Sequence, residues 1–188
     1  MHAGDAGPAG VDESFDAMVL HGLHAMAEAQ NGVLSHSFYP MPKNIYFNEK
    51  KIGEIAMNIY GFSEYDVPCV MITGDQAAVD EAKSLIPNIV GVPVKWGLGE
   101  KRRLGALSIR RAISLSPEKA RERIREAART AIARVDEFKP LKFTKPFSLK
   151  VEYIKQEFAE EKMKMPGVTR IDEVTIGKMC KSLEEVIF

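Results

Sequence analysis

Cysteine is scarce in this chain of 188 residues, and Cys69 and Cys180 each stand alone. Their isolation excludes a disulfide framework and a zinc site built on CxxC pairs. No apolar run approaches the roughly 18 residues of a membrane span. The first residues also lack a basic segment leading into an apolar one, so the expected location is cytoplasmic, with no membrane partner. Internal repeats and low-complexity tracts are missing too. What remains is an ordinary globular composition, 45% apolar and 28% charged. A chain of this length can bury roughly 70% of the surface it exposes when unfolded, so it needs no staple to hold a core.

Positive charge is sparse over residues 1–99, where five Lys and no Arg face twelve acids, a net charge of −7. Residues 100–188 carry 21 Lys and Arg against 14 acids, a net +7, so the overall balance of 26 against 26 hides a division. Histidine is absent after residue 36: His2, His21, His24 and His36 all lie near the N-terminus, which is where transition-metal or acid–base chemistry is to be sought. The segment EKRR, with Arg110 and Arg111, is the one feature that favours nucleic acid. It is short and carries no interleaved aromatics, so it reads as a solvated face, and no nucleic-acid partner is expected.

Residues 1–10, MHAGDAGPAG, have no periodicity and are expected to be a mobile segment, leaving 11–188 as one domain. FDAMVLHG reads as a buried strand ended by Gly22, and NIYFNEKKIGE as a strand entering a turn. Residues 53–62 should be helical, with Ile55, Ile59 and Phe62 on one face and Glu54 and Asn58 on another. VPCVMIT is continuous and apolar, as in a strand covered on both faces, and leads to Asp75 as the N-cap of a helix through Ala78, Ala82, Leu85 and Ile86. NIVGVPVKW follows as a strand in which Pro93 calls for an edge or a bulge. GLGEKRRLGALSIRR shows no clear period. Ser116 caps a further helix with Pro117 in its first turn and an apolar stripe from Ala120 to Phe138. FSLKVEYI alternates as a strand, 156–164 should be helical, VTRIDEVTI is a second late strand, and GKMCKSLEEVIF begins a helix. Alternating strands and helices give an α/β class, a mixed sheet with helices on its faces.

In HGLH, a strand end sends His21 and His24 to opposite sides, so at most one of them faces a site. His36 sits in the loop-like LSHSFYPMP. Each of these could equally be a surface or packed histidine. Glu54 follows Gly53 on the first turn of a helix, where the dipole favours its ionised form and apolar strand residues lie close by. It is either a solvated acid stabilising its helix or a carboxylate carried inward. Asn58, one turn later, could then donate to that carboxylate and orient it as a second layer around a metal. His24, His36 and Glu54 together offer two metal ligands and an acid–base group, one ligand short of the three that a catalytic zinc commonly takes from protein.

The blocks GVDESFDAMVLHGLHAM, GVLSHSFY, IYFNEKKIGEIAMN, YDVPCVMITGDQAAVDEAKSLIP, VGVPVKWGLG, LSPEKARERI and MPGVTRIDEVTIG, in this order, resemble the D-aminopeptidase family of zinc peptidases found in dipeptide-transport operons. The resemblance runs from about Gly10 to near the C-terminus. It implies a cytosolic hydrolase that binds two zinc ions and removes N-terminal D-amino acids from short peptides, working as a homo-oligomer, a ring-shaped decamer in the best-known case. Carried over by position, His24 and Glu54 match zinc ligands and His36 matches the histidine implicated in catalysis, as base or nucleophile. His21 stands where the family has an apolar residue and takes no role, and Gln76 replaces a common acid. The family also has an Asp-x-Glu-Gly strand and an Asn-Asp-Ser-His motif that supply the other ligands, and neither occurs in this sequence. The resemblance therefore implies the C-terminal portion of such an enzyme, lacking its N-terminal strand-and-helix segment: a fragment, a split-gene product, or one of two polypeptides that complete each other. The alternative is a non-catalytic assembly or binding protein that keeps the fold and has lost the full metal site.

Overall fold

The computed structural model describes residues 10–38 and 41–187. Of the N-terminal segment expected to be mobile, all but Gly10 lies outside the described residues, as does His2. The described residues form two sheets of five strands each, so the α/β class holds while the single mixed sheet becomes two.

The first sheet is mixed. β1 (Met18–Leu23) runs parallel to β5 (Cys69–Asp75), and β5 parallel to β6 (Val90–Leu104). The antiparallel β7 (Leu107–Ser114) and the two-residue β2 (Leu34–Ser35) complete the order β1-β5-β6-β7-β2. All seven residues of β5 are buried, which is why its sequence shows no in–out alternation. α2 (Gln76–Leu85) and α3 (Pro117–Ala133) both pack on β5 and β6. Pro93 sits opposite Gly74, beside a register shift and before β7 begins to pair with β6 at Lys95, which is the irregularity it was expected to require.

The second sheet is antiparallel throughout, in the order β4-β3-β8-β10-β9. β3 (Pro42–Phe47) and β4 (Lys50–Ile52) form a hairpin whose turn residues Asn48 and Glu49 both have positive φ, 46° and 63°, the type I′ geometry that suits the strand twist. β8 (Phe147–Tyr153) alternates buried with half-buried residues along its whole length and lies at the centre. Two late expectations are corrected here. VTRIDEVTI is not one strand: it bends back on itself, giving β9 (Val168–Arg170) and the start of β10 (Thr175–Cys180). GKMCKSLEEVIF does not begin an α-helix, because Gly177–Cys180 belong to β10 and only a short 3-10 turn, Leu183–Glu185, follows. α4 (Gln156–Lys162) packs against β8 and β10.

α1 (Glu54–Ser63) joins the two halves. Ile55 and Ile59 enter the hydrophobic cluster of the first sheet, whereas Ala56, Met57 and Tyr60 enter that of the second. Each fully buried Ile contributes about 1.5–3 kcal/mol by leaving water. α1 is thus fixed from two sides, and its first residue is Glu54.

Candidate metal centre

β1 ends at Leu23, and the chain leaves the sheet at His24. It returns through β2, immediately followed by His36, and the hairpin β3–β4 leads into α1 with Glu54 at its first position. Three separate elements therefore deliver three side chains to one place. One ligand atom from each of His24, His36 and Glu54 lies within 4.8 Å of the others, and all three residues are half-buried. The imidazoles of His24 and His36 stack with centroids 3.7 Å apart and planes 18° from parallel. His24 Nε2 stands 3.9 Å from Glu54 Oε1.

The ring orientations follow from the main chain. His24 Nδ1 is 3.1 Å from the carbonyl of Ala25, and His36 Nδ1 is 2.9 Å from the carbonyl of Leu34. A carbonyl only accepts, so in each neutral ring the proton is on Nδ1 and the lone pair on Nε2. Glu54 Oε1 accepts the main-chain N–H of Phe38 at 2.6 Å. Its Oε2 is buried and accepts no hydrogen bond from any described residue, which for a carboxylate oxygen is costly unless something cationic meets it. Two imidazole nitrogens and a carboxylate oxygen are donors that suit zinc and similar divalent ions. Among the described residues no other group of three such side chains comes together.

The role expected of Asn58 is corrected. Its side chain donates to the main-chain carbonyl of Glu54 at 2.8 Å, not to the carboxylate, and it is exposed. The Phe38 N–H orients the carboxylate instead. His21 is exposed, with Nδ1 2.9 Å from Thr73 Oγ1, and takes no part in the cluster. Gln76 accepts from Trp96 Nε1 at 3.2 Å and donates to Asp80, so it braces α2 against β6.

Sequence reasoning missed the groups that shape the loop behind the cluster. Glu81 on α2 is buried and accepts the N–H of Met26 at 2.7 Å, while Lys51 on β4 donates to the carbonyl of Ala27 at 2.6 Å. Burial pushes the Glu81 carboxyl up to about 7, and lowers the Lys51 ammonium below its ordinary value. The available signal was positional. Glu81 falls three residues after Ala78 and four before Leu85, inside the apolar arc of its helix. Asp75 was read as a cap, which it is, accepting from Ala78 N at 2.8 Å, but its second oxygen also accepts Val33 N at 2.7 Å and ties down the approach to β2. A cavity of about 730 Å³ beside Phe15, Ile132 and Phe138 is lined by none of the three clustered residues.

With this geometry in hand, comparison with known proteins is specific. A profile of D-aminopeptidases matches residues 7–188. The chain is 34% identical over 159 residues to a D-aminopeptidase of Bacillus subtilis strain 168, an alignment covering 84% of this chain and 54% of the relative. It superimposes with a TM-score of 0.81, at 31% identity, on the zinc-dependent D-aminopeptidase DppA from Bacillus subtilis, described as a self-compartmentalizing protease; the match covers 94% of this chain and 61% of that one. The chain thus spans little more than half the length of the relatives it matches.

Proposed function

Because the chain belongs to the D-aminopeptidase family, we propose that it is a zinc-dependent aminopeptidase that releases N-terminal D-amino acids from short peptides. His24 and Glu54 serve as metal ligands and His36 as the catalytic group. The observation that carries this reading is the convergence of these three side chains within 4.8 Å, around a buried Glu54 oxygen that takes no hydrogen bond from any described residue. Zinc in such a site polarises a peptide carbonyl and lowers the pKa of water from 15.7 toward about 7.

The chain's own residues do the rest. His24 presents Nε2 because Ala25 holds its Nδ1, and Glu54 presents Oε2 because Phe38 holds its Oε1. Leu34 likewise holds His36 Nδ1, so His36 Nε2 is the nitrogen that passes a proton between a water and a leaving amine. Two ligands are one short of the usual catalytic set, so further carboxylate or histidine ligands complete the site, from additional sequence or from a separate polypeptide. Self-association, of the kind described for the DppA relative, is part of the same reading. Among the described residues no helix is long and apolar enough to cross a membrane.

The test is release of D-Ala from D-Ala-containing dipeptides in the presence of zinc. It is run with and without a polypeptide bearing Asp-x-Glu-Gly and Asn-Asp-Ser-His. Activity is expected in the completed mixture, with His36→Ala lowering it by about 10²–10⁴-fold. No release in either mixture, or release indifferent to His36→Ala, overturns the catalytic reading. The shortage of ligands favours one second reading, a non-catalytic binding protein; stoichiometric tight zinc binding in calorimetry of the chain would count against it.

A further inference from the structure

We infer that Glu81 and Lys51 are positioning residues for this centre: they clamp the two ends of the Met26–Ala27 dipeptide and so set where His24 stands relative to Glu54. The inference rests on the metal-site reading above. After β1 the chain from His24 to Met26 has no regular secondary structure, so no ladder holds it. Its main-chain groups are instead taken up one by one by distant elements. Ala25 O accepts His36 N at 3.3 Å, and Ala27 N donates to Ser37 Oγ at 3.0 Å. The outer ends of the next two residues go to charged side chains. Met26 N donates to Glu81 Oε2 at 2.7 Å, and Ala27 O accepts Lys51 Nζ at 2.6 Å.

The other side of the dipeptide meets the second ligand. A Cβ added at Gly53 would lie 2.6 Å from Met26 Cβ and 3.2 Å from Glu81 Oε1, so Met26 rests directly on the residue that precedes Glu54. Moving Met26 therefore moves His24, two residues before it, against a fixed α1. Glu81 holds this position at a cost: it is 8% exposed, and its Oε1 accepts no hydrogen bond from any described residue. An apolar side chain would avoid that cost but could not take the Met26 N–H. Charged groups give the stronger bonds for the purpose, and outer groups of this kind commonly set metal affinity.

Cobalt(II) in place of zinc gives a readout that does not depend on turnover. Titration of the full chain with Co²⁺, followed by calorimetry and by the visible absorption bands of the ion, is compared across wild type, Glu81→Ala, Glu81→Gln and Lys51→Met, with thermal unfolding as the check that each is folded. Glu81→Ala is expected to weaken Co²⁺ binding by about tenfold or more and to shift the bands. Glu81→Gln keeps an oxygen for the Met26 N–H and should return to within about threefold of wild type, and Lys51→Met should fall between. A Glu81→Ala protein with wild-type affinity and bands overturns the clamp while leaving the metal reading intact, and so does a Glu81→Gln protein no better than Glu81→Ala. Should Glu81→Ala not fold, an unaltered Lys51→Met decides against the clamp. A wild-type chain that binds no Co²⁺ even when mixed with the polypeptide bearing Asp-x-Glu-Gly and Asn-Asp-Ser-His overturns the metal reading and the clamp with it.

Discussion

A buried carboxylate without full partners is expensive, and Glu54 and Glu81 each keep, around one short stretch of chain, an oxygen that no described residue hydrogen-bonds. For Glu81 the cost has a pH signature. Its folded value of about 7 is raised by burial, to which Glu54 and Asp75 add, while the Met26 N–H and Lys51 oppose. Between the ordinary carboxylate value near 4.5 and about 7, the unfolded chain gives up a proton that the folded chain keeps. Stability from this group must therefore fall as pH rises through that window and level off above it, by a total on the order of 3 kcal/mol. Urea unfolding of wild type and Glu81→Gln at pH 5 and pH 7.5 should show the variant gaining on wild type by up to that amount at the higher pH. A difference that stays constant with pH would mean that Glu81 ionises normally. Gly53 tests the same neighbourhood by shape. Its backbone is extended, so Ala would be tolerated there were it not for Met26 Cβ at 2.6 Å. Gly53→Ala should cost about 1–3 kcal/mol in chemical denaturation, by overpacking.

At the scale of the element, Asp75 does two jobs from one buried position, 2% exposed: it caps α2 and holds Val33 ahead of β2. Asp75→Ala should cost about 2–4 kcal/mol, the lost cap plus an orphaned amide, and amide hydrogen exchange at Val33 should quicken. Asn keeps only one acceptor oxygen and should fall between; Ala no worse than Asn would separate the cap from the loop. The cap itself was legible in the sequence, as were β1, β5, β8, α1 and α3, because burial on one or two faces writes a period or a continuous apolar run. The β6–β7 hairpin was not. Its outer half, from Leu98 to Leu104, is exposed throughout, so neither face selects apolar residues and no alternation is left to read. Nor was the turn between β9 and β10, where IDEV looks like a continuing strand although Asp172 accepts Val174 N and closes the bend. Around His24, His36 and Glu54 the residue types and their family positions could be read. The stacking of His24 on His36, the N–H of Phe38 on Glu54 and the clamp on Met26 could not, because each depends on contacts between elements distant in sequence.

The division of charge between the two halves of the chain does not divide the molecule. β3 and β4, from the acidic half, sit in the second sheet beside β8 from the basic half, and Lys43 reaches across to Glu152. What unites the two sheets is α1, with one face in each hydrophobic cluster, reinforced by Leu85 and Leu141, which pack against both, and by Ser63 Oγ accepting Leu141 N at 2.9 Å. Since Glu54 is the first residue of α1, the proposed metal centre inherits the stability of both clusters. The chain should therefore unfold as one cooperative unit. Trp96, on β6 and the single tryptophan, reports the first sheet, while far-ultraviolet circular dichroism reports both. In wild type the two denaturation curves should coincide. Leu149→Ala, 2% exposed on β8 in the other sheet, should remove about 2–5 kcal/mol. If α1 couples the sheets, the Trp96 curve shifts by the same free energy as the dichroism curve, although Trp96 lies on the first sheet. A Trp96 curve that stays in place while the dichroism splits in two would show that the sheets unfold separately, and that Glu54 is anchored by the first cluster alone.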